Sequence, residues 1–65
     1  MQLSKREIEI IELRMKGRST KSIAKKLFIN ERTVEAHNRN IKQKTGAENT
    51  AQTVYIYMTS KQYKK

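Results

Sequence analysis

The residues that start and stop helices constrain this chain more than any other feature. Proline is absent, and the two glycines, Gly17 and Gly46, each follow a run of apolar residues at helical spacing. Residues that favour the N-cap position precede four such runs: Ser4, Ser19 or Thr20, Asn30 and Asn49. These signals predict four short helices, at about residues 5–16, 20–27, 31–45 and 50–60. The one β-branched cluster, residues 53–57, has no second strand to pair with, so the predicted fold class is all-α.

Two of the helix starts carry a second signal. Ser4 is followed three residues later by Glu7, and Asn49 by Gln52, which is the spacing of a reciprocal capping box. Residues 28–29 carry no helix signal and are predicted to form an apolar turn. Residues from about 61 onward are expected to fray from the last helix.

The length of 65 residues allows one small domain. There is no cysteine, which excludes disulfides, thiolate zinc sites and cysteine nucleophiles. No apolar run approaches the ~18–20 residues that span a bilayer, and no signal-peptide pattern is present. An intracellular protein without a membrane segment is therefore expected.

The charge balance indicates a polyanionic partner. Fifteen lysines and arginines face six acidic residues, giving a net charge of +9 and a pI near 10.2. A membrane surface would require a broad apolar helix face rich in Trp, Phe and Leu. With no Trp and one Phe, the composition favours nucleic acid.

The third predicted helix has two contrasting sides at about 100° per residue. One side carries Val34, His37, Asn38, Ile41 and Thr45. The other carries Arg32, Glu35, Ala36, Arg39, Lys42 and Gln43. An ordinary amphipathic helix with a solvated charged side is one interpretation of this pattern. The other is a helix whose polar side lies in the major groove of DNA.

The segment before this helix favours the second interpretation. A short helix, a link of about three residues and a small Ala24 in the middle of the earlier helix are the layout of a helix-turn-helix motif. A larger side chain at position 24 would push the two helices apart. The turn lacks the glycine often found in such motifs, so this spacing alone is only moderately specific.

Residues 3–58 resemble the GerE/LuxR-type helix-turn-helix domain of bacterial transcription regulators. The resemblance rests on the stretches LSKREIEII, GRSTKSIAKKLFI and NERTVEAHNRNIKQKTG. It implies a four-helix domain that binds double-stranded DNA through its third helix and forms dimer contacts through its fourth. A cytoplasmic, nucleoid-associated bacterial protein would follow.

The resemblance places the base-reading positions at Glu35, Ala36 and Arg39. Arg39 is suited to a bidentate contact with guanine, and Ala36 to a thymine methyl group. Glu35 either accepts from a cytosine amino group or forms a salt bridge with Arg32 or Arg39.

Phosphate contacts are expected where helices begin and where cations flank the polar side. The candidates are Thr20, Lys21, Thr33 and Lys44. Arg32 and Lys42 fit two interpretations equally well, since their side chains could contact DNA or remain in solvent.

The fourth helix leaves two arrangements open. Periodicity predicts that Ala51, Val54, Tyr55 and Met58 are buried together. The pattern of the resembled family instead buries positions 53, 54 and 57, leaving Tyr55 and Met58 outward. Either arrangement leaves surplus apolar surface, which indicates a homodimer with Ala51, Tyr55 and Met58 at its interface; scattered exposed residues on a monomer are the alternative.

The chain departs from the resembled family at several positions that should weaken the core and the packing of the fourth helix. The departures are Arg14, Thr45, Thr50 and Thr53.

No constellation for catalysis, metal binding or a cofactor is present. His37 lacks partner ligands and is expected to be a packed, hydrogen-bonded structural residue. The leading hypothesis is a transcription regulator, regulated through its expression or acting as the output domain of something longer. A protein–protein adaptor or anti-regulator that binds a larger regulator or RNA polymerase through residues 50–60 is the alternative.

Overall fold

The computed structural model describes residues 3–60, and within them the chain forms four helices and no strand. They are α1 (Lys5–Met15), α2 (Thr20–Leu27), α3 (Glu31–Thr45) and α4 (Thr50–Met58). The all-α prediction is confirmed. The first and fourth helices end one and two residues earlier than predicted, and the expected fraying of the last residues falls outside the described part of the chain.

The N-cap residues act as the sequence predicts. The side chains of Ser4, Ser19, Asn30 and Asn49 each accept a hydrogen bond from the backbone N–H three residues later. The capping box at Ser4 is complete, because Glu7 Oε1 also accepts from the Ser4 N–H at 2.8 Å. At α4 the reciprocal contact is displaced, since Gln52 accepts from the N–H of Glu48 and not from that of Asn49.

Two of the helices end at a residue in the left-handed conformation, but only one of these residues is a glycine. Gly46 ends α3 in the left-handed conformation, with φ of 75°, as a glycine easily does. Phe28 ends α2 in the same conformation, with φ of 60°, and it is the one non-glycine residue at positive φ in the described range. A β-carbon makes this conformation costly, and nothing in the sequence pattern of residues 28–29 predicts it.

All four helices contribute to one core. Its buried apolar residues are Leu3, Ile10, Ile11, Leu13, Ile23, Ala24, Val34, Ile41 and Tyr57. Ala24 is buried as the helix-turn-helix layout requires. Among residues 3–60, no helix has the length and apolar content needed to cross a membrane.

The orientation of α4 settles the two arrangements left open by the sequence. Tyr57 and Thr53 are buried, whereas Tyr55 is 69% and Met58 47% exposed. The arrangement based on periodicity is therefore wrong, and the one based on the resemblance is confirmed. Tyr57 determines the result, because its ring enters the core and its hydroxyl donates to Glu12 Oε2 of α1 at 2.9 Å.

The residues that depart from the family satisfy their polar groups locally. Thr53 donates its hydroxyl to the carbonyl of Thr50, and Thr45 donates to that of Ile41. Each side chain thus enters the protein interior without leaving an unpaired hydroxyl. The third departure with a hydrogen bond, Arg14, finds its partner at the start of α2.

Candidate nucleic-acid interface

Helix α3 presents its polar side to solvent as predicted. Val34 and Ile41 are buried on one side of the helix. Arg32, Glu35 and Arg39 are exposed on the other. The core contacts of α3 therefore leave a row of long polar side chains pointing away from the protein.

The predicted base-reading positions lie together in this row. Glu35 and Arg39 are exposed and one helical turn apart, and Ala36 beside them is half-buried. The salt bridge considered for Glu35 is not formed with Arg32 or Arg39 in the described residues. With no ion pair among residues 3–60, the charged groups of Glu35 and Arg39 are exposed to solvent.

The polar row ends in a shallow depression at the C-terminal end of α3. Arg39, Lys42 and Gln43 line its helical side, and residues 46–48 line the other. Sequence reasoning placed Gln43 on this side but gave it no role. Its exposed amide extends the polar row by a further turn beyond Arg39.

The start of α2 forms a second donor-rich region. The Ser19 hydroxyl is occupied by the N–H of Ser22 at 3.2 Å, and Ser19 itself is the N-cap. Among the described hydrogen bonds none involves the N–H of Thr20 or Lys21, so the positive end of the helix dipole is open. This is the environment in which helix N-termini bind phosphate.

Thr20 has a partner that the sequence did not indicate. The Arg14 guanidinium, at the end of α1, donates through Nη2 to Thr20 Oγ1 at 2.5 Å. The Arg14 Nε is buried and has no hydrogen bond of its own. Arg14 thus joins the end of α1 to the start of α2.

Thr33 uses its donors within the N-terminal cap of α3. Its N–H and its hydroxyl both bond to Asn30 Oδ1, at 2.8 and 2.9 Å. To donate to a phosphate, the Thr33 hydroxyl would first have to break its hydrogen bond to Asn30 Oδ1. The Thr33 hydroxyl thus donates within the domain, whereas the Thr20 hydroxyl accepts from Arg14.

Lys44 is held by a carboxylate that sequence reasoning treated only as part of a cap. Its Nζ lies 2.8 Å from Glu7 Oε1, and the Glu7 side chain is 4% exposed against 43% for Lys44. Burial acts to raise the pKa of Glu7, but hydrogen bonds from Lys44 and the Ser4 N–H, with the Lys44 charge, outweigh it and lower that pKa. The half-exposed ammonium keeps N–H donors for a phosphate while anchored to α1.

His37 is half-buried on α3, as its position on the apolar side predicts. The hydrogen bond expected for it is absent from the described residues. Within residues 3–60, no three His, Cys, Asp or Glu side chains are grouped as metal ligands would be.

A separate apolar surface lies on α4. Ala51, Tyr55 and Met58, the residues expected at a dimer interface, are all exposed. Phe28, at the turn between α2 and α3, is 95% exposed and was not predicted to be so.

Comparison with known proteins assigns the family. The sequence profile GerE, described as bacterial regulatory proteins of the luxR family, matches residues 1–59. The chain belongs to this family. It is a LuxR-type DNA-binding domain of transcription regulation, with the helix-turn-helix formed by α2 and α3.

Relatives of this LuxR-type domain are longer proteins. The oxygen regulatory protein NreC of Staphylococcus aureus, from strains JH9 and JH1 among others, is 44% identical over 59 residues, which cover 91% of this chain and 27% of NreC. The solved response regulator ChrA of a heme-sensing two-component system superimposes with a TM-score of 0.83 at 38% identity, covering 88% of this chain and 28% of ChrA. The LuxR-type chain thus spans little more than a quarter of each relative.

Proposed function

We propose that this domain binds specific double-stranded DNA with α3 in the major groove. The observation that carries the proposal is the row of Arg32, Glu35 and Arg39, exposed on α3 and without ion pairs among residues 3–60. Long side chains kept free of internal partners are suited to base edges and phosphates, because no existing contact must be broken on binding. The domain acts by binding and not by catalysis.

The three base-reading positions have different roles in this proposal. Arg39 forms a bidentate contact with O6 and N7 of guanine, and the Ala36 methyl group contacts a thymine methyl. Glu35 accepts from a cytosine amino group, since it has no internal salt bridge to keep it from the groove. Each side chain therefore sees a different base edge in the half-site.

The phosphate contacts fix the orientation of α3. Thr20 and Lys21 bind one phosphate at the start of α2 through free N–H groups and the Thr20 hydroxyl. Lys44 binds a second phosphate at the far end of α3 while Glu7 holds its ammonium. Thr33, Arg32 and Lys42 are secondary positions, because the Thr33 hydroxyl is already used by Asn30.

We propose further that two copies associate through α4. Tyr55 and Met58 expose apolar surface, and Ala51 leaves room for close approach on the same helix. An isologous contact of two such helices would place two α3 helices on half-sites about one DNA turn, or roughly 34–36 Å, apart. A symmetric operator is the expected partner of such a dimer.

The names of the relatives define the setting of the proposal. NreC is an oxygen regulatory protein and ChrA a response regulator. We infer that this domain performs the DNA-binding step of transcription regulation in a bacterial cytoplasm, at the nucleoid.

Selection from a random duplex library at about 150 mM salt tests the proposal, because non-specific attraction is screened there. Enrichment of a two-fold-related motif supports specific binding by a dimer. Enrichment of a single half-site supports specific DNA binding and contradicts the proposed dimer. Binding without enrichment, lost as salt rises, would overturn the proposal.

A protein–protein adaptor remains the second candidate, favoured by the exposed Tyr55 and Met58. In this case α4 would bind a larger regulator or RNA polymerase. Arg39→Ala separates the two candidates, since it removes specific DNA binding and leaves the α4 surface intact.

A further inference from the structure

Arg14 and Thr20 form a contact that the base-reading and phosphate assignments leave unexplained. Arg14 lies in the last turn of α1, and its guanidinium reaches across to the first residue of α2. The side chain is largely withdrawn from solvent, and its Nε is buried without a partner. Partial burial of a cation that leaves its Nε donor unpaired costs folding free energy. The fold therefore retains Arg14 at this position at some cost in stability.

The direction of this hydrogen bond determines what Thr20 can do. A guanidinium can only donate, so Thr20 Oγ1 is the acceptor and its own hydroxyl proton is not used in the contact. The Thr20 hydroxyl accepts no other hydrogen bond and donates none within the described residues. Among residues 3–60 the proton therefore has no acceptor, and it lies next to N–H groups of Thr20 and Lys21 that are likewise unpaired there.

We propose that Arg14 is a positioning residue for a DNA backbone phosphate, holding the Thr20 hydroxyl so that it donates to a phosphate oxygen at the start of α2. This rests on the proposed function and adds a residue that touches no base. The guanidinium also polarises the hydroxyl and adds positive charge behind the phosphate, so both effects act in the same direction.

A neighbouring pair provides the matched control. Arg18 Nη1 donates to Ser22 Oγ at 3.1 Å, so it too is an arginine bonded to a hydroxyl near the start of α2. That contact is exposed, and Ser22 lies two residues deeper in the helix than Thr20. Arg18→Met removes the same charge without disturbing Thr20.

A double-mutant cycle on the selected duplex tests the proposal. Arg14→Met is expected to weaken binding about tenfold, the size of one charged hydrogen bond, and Arg18→Met about twofold. In a Thr20→Val background, Arg14→Met should cost no more than Arg18→Met, because the hydroxyl that Arg14 positions is gone. Thr20→Ser, which keeps the hydroxyl, should retain most of the affinity.

The outcomes separate this inference from the proposed function. An equal loss from Arg14→Met with and without the Thr20 hydroxyl would overturn the inference, since Arg14 would then act through charge alone. A loss of affinity that only follows a fall in melting temperature would also overturn it. If Arg14→Met does not fold, Thr20→Val alone tests the inference. An unchanged affinity of Thr20→Val for the selected duplex would overturn it. Failure of the unmodified domain to select any motif overturns the proposed function itself.

Discussion

The ammonium group of Lys44 lies 2.8 Å from Oε1 of Glu7, across 37 residues of sequence. Glu7 also completes the cap of α1, so one buried carboxylate joins the start of α1 to the last turn of α3. The contact fixes the C-terminal end of α3 against the domain.

Glu7→Gln is expected to lower the free energy of unfolding by about 1–2 kcal/mol at pH 7, because it removes a charged hydrogen bond and retains the capping geometry. Chemical denaturation measures the change. Glu9→Gln is the control, since Glu9 forms an exposed pair with Arg6 and should cost less than about 0.5 kcal/mol. Equal effects of the two changes would contradict the role given to Glu7.

Glu7 should also make stability depend on pH. Its pKa is lowered in the folded domain, so its contribution is fully present above the unfolded value of about 4.5. That contribution is lost as the pH falls through the lower folded pKa. The measurement is the melting temperature of the unmodified domain and of Glu7→Gln between about pH 2 and 6. The difference between the two proteins should disappear at the acid end. A difference that stays constant with pH would contradict this role of Glu7.

Phe28→Asn should raise the free energy of unfolding by about 0.5–1 kcal/mol. Asparagine adopts the left-handed conformation of position 28 more easily than phenylalanine, and the 95% exposed ring contributes little packing. Phe28→Ala, which loses the ring but keeps the unfavourable φ, should show no gain. A stability loss from Phe28→Asn would mean that the ring packs in solution.

Arg39→Ala should sharply reduce sequence preference while leaving weaker, salt-sensitive binding. Loss of a bidentate base contact costs about 1–3 kcal/mol of discrimination. Lys25→Ala is the control. It removes the same charge from an exposed position on α2 and should lower the affinity for all duplexes alike. Competition between the selected and a scrambled duplex measures the difference. Retained preference in Arg39→Ala would show that another residue reads the base.

Tyr55→Glu should shift the domain toward monomers. Two carboxylates would oppose each other across the proposed α4 contact, replacing apolar surface. Thr50→Glu at the start of the same helix adds an equal charge at an exposed site and should not affect association. Sedimentation equilibrium distinguishes these results, and a dimer unaffected by Tyr55→Glu would place the interface elsewhere.

Local signals in the sequence predict the helices well, for a physical reason. The cap residues Ser4, Asn30 and Asn49 act on N–H groups three residues away, so their effect is visible in a short window. The exposed row on α3 is predictable for a similar reason, because Val34 and Ile41 fix which side is buried.

The remaining features depend on distant parts of the chain. Periodicity orients α4 wrongly because apolar residues lie all around the helix. Its orientation is fixed instead by the hydrogen bond from Tyr57 to Glu12, 45 residues away in sequence. The Glu7–Lys44 and Arg14–Thr20 contacts likewise join separate helices. No pattern within one helix contains the geometry of its neighbour.

Helix α1 takes part in all three of these contacts, with Glu7 bound to α3, Glu12 to α4 and Arg14 to α2. In the proposed complex α1 touches neither a base nor the second copy. Together with the direct packing of α3 on α4, it nevertheless fixes the angle between these two helices. If two copies associate through α4 as proposed, the permitted spacing between half-sites depends on α1, and substitutions there should change which operators fit without changing which bases are read.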